Sequence, residues 1–267
     1  MSDENGFEPI NVLLSREELI LVLDLLATTV IPGLDFDPLG DMNSQQRALA
    51  MIWAGRALRA RELARLNEAG ELVVHQALLT AVGVCAYSSD AIFIFHWPRA
   101  GTEPRRFFGH MRGEDIVSHT RLADVLHLFT LLPTREHLLN QVFDFCEYED
   151  GSAAENLSMT VSNASFIRAR ELASEAQTQP AADLLIGENA PAKAATAFAA
   201  TLADSPRVSI FQTLKQVGED SVEKSDFTIV QNQQYSWLIA PAQEDETALL
   251  VKTTTKDEVE TLLAELL

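Results

Sequence analysis

Lysine is missing from the first 192 residues of this 267-residue chain, where every cation is an arginine. Positive charge is scarce throughout: 20 Lys and Arg stand against 39 Asp and Glu, a formal net charge of −19. That balance opposes nucleic acid and anionic membrane surfaces, both of which require basic patches. Glycine is also sparse, with 12 residues, and no phosphate-binding loop or dinucleotide fingerprint occurs. The two cysteines, Cys85 and Cys146, lie far apart in apolar contexts and read as buried free thiols, not a disulfide. The longest apolar run, Leu19 to Ala27, contains Asp24 and is too short to span a bilayer. The N-terminal stretch from Met1 to Gly6 is acidic and lacks the basic and apolar regions of a signal peptide, so a cytoplasmic location is expected.

Catalytic signatures are equally thin. There is no G-x-S-x-G elbow, and neither cysteine has catalytic flanking. The segment Asp35-Phe-Asp37-Pro-Leu-Gly40 begins like a calcium loop, but Leu39 and Gln46 stand where oxygen ligands are required. Two glycosylation sequons, at Asn156 and Asn163, carry no weight without an export signal. The expectation is no catalytic residue, no metal and no cofactor.

What is present is a globular composition, 47 % hydrophobic and 22 % charged. Ile10–Leu14 reads as a strand, and Ser15 with Glu18 forms a capping box ahead of an amphipathic helix carrying Leu19, Val22, Leu23 and Leu26. Pro32-Gly33 ends that unit. A second helix is expected from Asn43 or Ser44 towards Asn67, with Leu49, Ile52 and Trp53 as its apolar anchors. Its arginines, Arg47, Arg56, Arg59, Arg61 and Arg65, read as a solvated face paired with Glu62 and Glu68. A third helix is expected over roughly Glu71 to Val82.

Four strand-like runs follow, Ala91–Trp97, Arg105–Met111, Asp115–Thr120 and Asp124–Leu131, as an antiparallel meander. Thr134 then caps a helix with Leu138, Leu139, Val142, Phe143 and Cys146 on its apolar side. The polar stretch Glu147–Asn156 looks like a boundary. Beyond it the order repeats. A strand at Leu157–Val161 and a Ser162 cap lead to a helix with Phe166, Ile167 and Leu172, then helices at Ala181–Ile186 and Ala192–Ala203. Strands follow at Arg207–Val217, Asp226–Gln231, Tyr235–Ala240 and Ala248–Thr253. A capping box at Thr255 and Glu258 opens the last helix. The pattern is α+β, two quasi-repeated halves (1–148 and 149–267), each of helices, a four-stranded antiparallel meander and a closing helix. We expect the halves to share one core, so that 1–267 is a single integrated domain.

Four histidines, His96, His110, His119 and His127, fall one on each strand of the first meander, with Glu114, Asp115 and Asp124 nearby. Such a set could build a metal or acid–base site. Tight connections place His96 and His110 roughly 13 Å apart along the sheet. They also pair His119 near Leu126, which turns His119 and His127 to opposite faces. Hydrogen-bonded sheet histidines are therefore expected.

The element order and several phrases resemble the EspG family, the cytosolic chaperones of ESX (type VII) secretion. The phrases are Leu14-Ser-Arg-Glu-Glu-Leu19 running into Ile31-Pro-Gly-Leu34; the Arg56–Leu63 stretch, similar to that family's L-x-x-R-G-L helix end; and Trp237-Leu-Ile-Ala-Pro241 followed by a strand and a helix ending in Leu262-Leu263. Glu62 departs from the pattern, where the family often has glycine. The resemblance implies an α+β monomer that binds a helical, secretion-bound client of WXG type or similar and keeps it soluble. A structural subunit of an unknown complex, or an enzyme using the meander histidines, is the alternative.

The connection between the first two meander strands, Trp97 to Arg106, combines one tryptophan, three arginines and two prolines. Trp and Arg are enriched at interface hot spots, and proline lowers the entropy lost on ordering. In EspG-like proteins the corresponding loop helps grip the client. Trp97, Arg99, Arg105 and Arg106 are accordingly the expected partner-binding residues.

Overall fold

The computed structural model describes residues 9–34, 42–122, 126–153, 155–218, 221–242 and 245–267. Asp124 and the segment Asp35–Gly40 lie outside the described residues. The chain is α+β. It runs β1 (Ile10–Ser15), α1 (Arg16–Leu25), α2 (Ser44–Ala60), β2 (Ala64–Leu66), β3 (Leu72–Val74) and α3 (Gln76–Ala86). Next come β4 (Asp90–Trp97), β5 (Arg105–Arg112), β6 (Asp115–Leu122), β7 (Leu126–Leu132) and α4 (Arg135–Phe145). The second half comprises β8 (Ser158–Ser162), α5 (Asn163–Ser174), α6 (Thr178–Gly187), α7 (Ala192–Ala203), β9 (Arg207–Gln216), β10 (Val222–Gln231), β11 (Ser236–Ala242), β12 (Asp245–Thr253) and α8 (Lys256–Leu266).

The repeat is topological as well as sequential. In the first half the strands are ordered β1-β7-β6-β5-β4, and in the second β8-β12-β11-β10-β9. Each half thus lays its opening strand antiparallel beside the last strand of its meander. The same capped helix follows each opening strand. Ser15 Oγ accepts from Glu18 N (3.2 Å) while Glu18 Oε2 accepts from Ser15 N (2.8 Å), and Ser162 Oγ accepts from Ser165 N at 3.1 Å. These bonds satisfy backbone donors that the first turn leaves without partners.

Two compact units are discontinuous in sequence. The first comprises residues up to Phe93, Phe107–Asn140 and Lys215–Ser221. Its core joins Val12 and Leu14 of β1, Leu19, Val22 and Leu23 of α1, Leu78 and Val82 of α3, Val117 of β6 and Phe129 of β7. The second comprises Ile94–Arg106, Gln141–Leu214 and Val222–Leu267. There α5, α6 and α7 cover β8, β11 and β12, with Phe198 against Trp237 (ring centres 5.1 Å apart). Buried Trp237 donates its indole N–H to Thr201 Oγ1 at 3.1 Å, so its one polar atom is satisfied.

The scarcity of glycine shows at the helix ends. Among the described residues, six non-glycine positions have positive φ: Ala27, Glu62, Glu147, Ala176, Asn189 and Ser205. Each stands two positions past the last residue of a helix, α1, α2, α4, α5, α6 and α7 respectively, where a left-handed residue closes the final turn. At α2 the closure is explicit: Leu63 N–H donates to Leu58 O at 2.9 Å around Glu62 at φ 60°. Glu62, the departure from the L-x-x-R-G-L pattern, therefore occupies a conformation that glycine adopts without strain.

Several elements differ from expectation. Helix α2 stops at Ala60, not near Asn67, and Leu49, Ile52 and Trp53 are 55, 53 and 58 % exposed. The helix docks instead through Ala54, Gly55 and Leu58, and a Cβ at Gly55 would lie 3.7 Å from both Leu21 and Leu72. Small residues permit that close approach, which turns the larger side chains outward. Residues 71–75 open with β3, not a helix turn, because Asn67 and Gly70 (φ 81°) build a hairpin in which Asn67 Oδ1 accepts from Glu71 N at 2.8 Å. Arg47 pairs with Asp24 (3.6 Å) and Arg61 with Glu18 (2.6 Å), whereas among the described residues the expected pairs with Glu62 and Glu68 do not form. On α5, Ile167 is 41 % exposed and Ala169 and Ala173 are buried in its stead.

Candidate functional site

The β4–β5 hairpin carries all four expected partner-binding residues in the second unit. Strand β4 ends at Trp97 and β5 begins at Arg105; Gly101 turns the chain at φ 79°. At the tip, Arg99 O accepts from Thr102 Oγ1 (2.7 Å). The Arg99 side chain is exposed and has no ion-pair partner among the described residues. Trp97 is half-buried. Half-buried Arg106 holds its guanidinium 5.8 Å from the centre of the Phe95 ring.

Arg105 has a separate role that the sequence did not reveal. Its guanidinium donates to Phe145 O (2.8 Å) at the end of α4 and to Glu147 Oε1 (2.7 Å). It also lies 4.9 Å over the Phe145 ring. A helix C-terminus has unsatisfied carbonyls and a partial negative charge, and Arg105 answers both. It ties the start of β5 to the last turn of α4. Only tertiary structure brings positions 105, 145 and 147 together, so spacing gave no signal.

Beneath that tie lies a buried polar set. His96 Nδ1 is 2.8 Å from Ser209 Oγ, and Ser209 also hydrogen-bonds to Cys146. Burial lowers His96 to about 4, and the Arg105 charge acts in the same direction. Burial pushes the Cys146 thiol up to about 12. At neutral pH the cysteine is a thiol and the imidazole is neutral, so the reactive thiolate of a nucleophilic cysteine is absent. Cys85 is likewise free and buried, with its thiol raised by burial.

The other three meander histidines are sheet residues too, but one expectation fails. His119 pairs with Phe129 and His127 with Arg121, so His119 and His127 share a face. Their rings stack 5.2 Å apart, with His119 Nε2 3.0 Å from His127 Nδ1. The reason is register: His119 pairs with Phe129, three residues beyond Leu126, across a looser β6–β7 connection, and an odd offset exchanges the faces. Phe108 and Phe129 flank His119 at 5.4 and 4.4 Å. His110 Nδ1 lies 3.4 Å from Ser88 Oγ. Among the described residues no three His, Cys, Asp or Glu side chains are grouped to hold a metal. No described helix is long and apolar enough to cross a membrane.

No family model matches the sequence, and no curated protein matches it. Among solved structures the chain is similar to the Mycobacterium tuberculosis type VII secretion system chaperone EspG5, solved in complex with a PE25–PPE41 dimer. The TM-score is 0.69 at 12 % identity, over 94 % of each chain. The chain has the EspG-like fold.

Proposed function

We propose that this protein is a cytoplasmic, non-enzymatic chaperone or adaptor that, as a monomer, holds a helical, secretion-bound client of WXG type or similar. The likeness to a chaperone structure over 94 % of both chains carries the reading. The buried, unreactive state of Cys146 and the neutral histidines supports binding over chemistry.

The client surface includes the β4–β5 hairpin. Arg99 is exposed and uncommitted, and Trp97 is half-buried, a combination that a partner can desolvate further. Arg106 adds a cation over Phe95. Arg105 contributes mainly by holding the hairpin to α4 through Phe145 and Glu147. An arginine cluster on a chain of net charge −19 can orient an acidic or carbonyl-rich helix end.

The test is co-expression with small helical proteins encoded beside the gene. A client that aggregates alone should become soluble and co-elute with this chain. A client equally soluble without it would overturn the reading.

A further inference from the structure

The outward face of α2 is unlike a solvated helix face. Leu49, Ile52 and Trp53, 53 to 58 % exposed, stand at i, i+3 and i+4 and form one stripe. Arg56 continues that stripe one turn on, its guanidinium 4.9 Å over the Trp53 ring. Single exposed apolar residues are ordinary, but a contiguous row marks a contact surface.

Charge narrows the occupant. From Ser44 to Arg61 there is no Asp or Glu. Arg47 and Arg61 have carboxylate partners. Arg59 only turns its Nε to Gly55 O at 3.4 Å, and neither Arg56 nor Arg59 has a carboxylate partner among the described residues. We infer that this face docks an amphipathic helix of a partner protein, its apolar stripe on Leu49, Ile52 and Trp53 and its acidic flank on Arg56 and Arg59.

Two other occupants fit less well. A second copy docked α2 against α2 would set the arginines of the acid-free stretch Ser44–Arg61 against themselves, leaving their charge uncompensated. An anionic bilayer is repelled by a chain of net charge −19. Three apolar side chains on a helix about 25 Å long are also too few for an interfacial anchor. The surface lies in the first unit and the β4–β5 hairpin tip in the second, so it stands independently of the client reading.

Two fluorescein-labelled synthetic helical peptides sharing one Leu/Ile stripe, one flanked by Glu and one by Lys, test the inference by anisotropy. The Glu peptide should bind and the Lys peptide should not. Binding should weaken between about 50 and 500 mM salt as ionic contacts are screened. Trp53→Ala and the double variant Arg56→Ala/Arg59→Ala should each lose about tenfold or more in affinity. Both act on outward side chains and should keep the melting temperature within about 2 °C. Equal binding of the two peptides, or unchanged affinity in the folded variants, overturns the inference. So does partition of the chain onto phosphatidylserine vesicles, or self-association, abolished by Trp53→Ala while neither peptide binds.

Discussion

Acid should unfold this protein through its histidines well before its carboxylates titrate. His96, His110 and His119 are 0 % exposed and His127 is 3 % exposed. Desolvation lowers His96 and His127 to about 4 and His110 to about 3. His119 is lowered by burial and then by its neighbour His127. For His127 the charges of Arg121 and Arg16 reinforce burial. In the unfolded chain each ring returns to about 6.5. Below that pH the unfolded chain takes up protons that the native rings refuse. The stability held above pH 6.5 is therefore lost as the pH falls towards the folded values. One proton is worth about 1.36 kcal/mol per pH unit, so each histidine costs about 2 kcal/mol between pH 6.5 and 5. For His96, His110 and His127 together the loss is on the order of 6 kcal/mol, comparable with a typical total stability of roughly 5–15 kcal/mol. Urea midpoints at pH 7, 6 and 5 under constant ionic strength should fall steadily. His110→Gln should show a shallower fall, because it removes one buried ring that stays neutral in the native state and whose hydrogen bond among the described residues, to Ser88 Oγ at 3.4 Å, is long. A midpoint constant from pH 7 to 5, or an unaltered slope in His110→Gln, would show that the buried histidines do not couple stability to pH.

Further predictions concern packing and chain integrity. Glu62→Gly relieves a left-handed non-glycine residue (φ 60°) and should stabilise by about 0.5–1 kcal/mol, read as a higher melting temperature; a fall would contradict it. Arg61→Ala removes a guanidinium that binds both Glu18 Oε1 (2.6 Å) and Leu13 O (2.7 Å). Glu18, 4 % exposed, then loses its guanidinium partner. With Arg61 itself partly exposed, we expect a loss of about 1–3 kcal/mol, partly recovered by adding Glu18→Gln. Unfolding like the parent's would show the tie to be idle. We also propose that the chain folds as one cooperative domain. Residues 1–148 alone would lack Lys215–Ser221, where Gln216 N–H donates to Ser89 O at 3.0 Å. Residues 94–106 would lose most of the unit to which they belong. That fragment should be insoluble or partly unfolded, and a soluble fragment with a sharp melting transition would be contrary evidence.

Local signals were the most legible. The capping boxes at Ser15/Glu18 and Thr255/Glu258 act over three residues and form as read. The meander strands also lie within a few residues of expectation. What failed depended on tertiary choices. Leu49, Ile52 and Trp53 look like core anchors by size, yet α2 buries its small face because Gly55 allows closer docking. The face shared by His119 and His127 was set by the β6–β7 register, three residues from the pairing that a tight connection implies. Of the candidate site, Trp97 and the arginines were visible as composition. The attachment of Arg105 to the end of α4 was not, since Phe145 and Glu147 are about 40 residues away in sequence.

On the proposed function, a helical client docks on a surface that includes the β4–β5 hairpin tip. Isothermal titration of the purified chain with a purified helical client, found by the co-expression above, measures this directly. Saturable one-to-one binding is predicted, weakened about tenfold or more by Trp97→Ala/Arg99→Ala with the melting temperature retained. No binding by the parent, or equal affinity in the folded double variant, would contradict it.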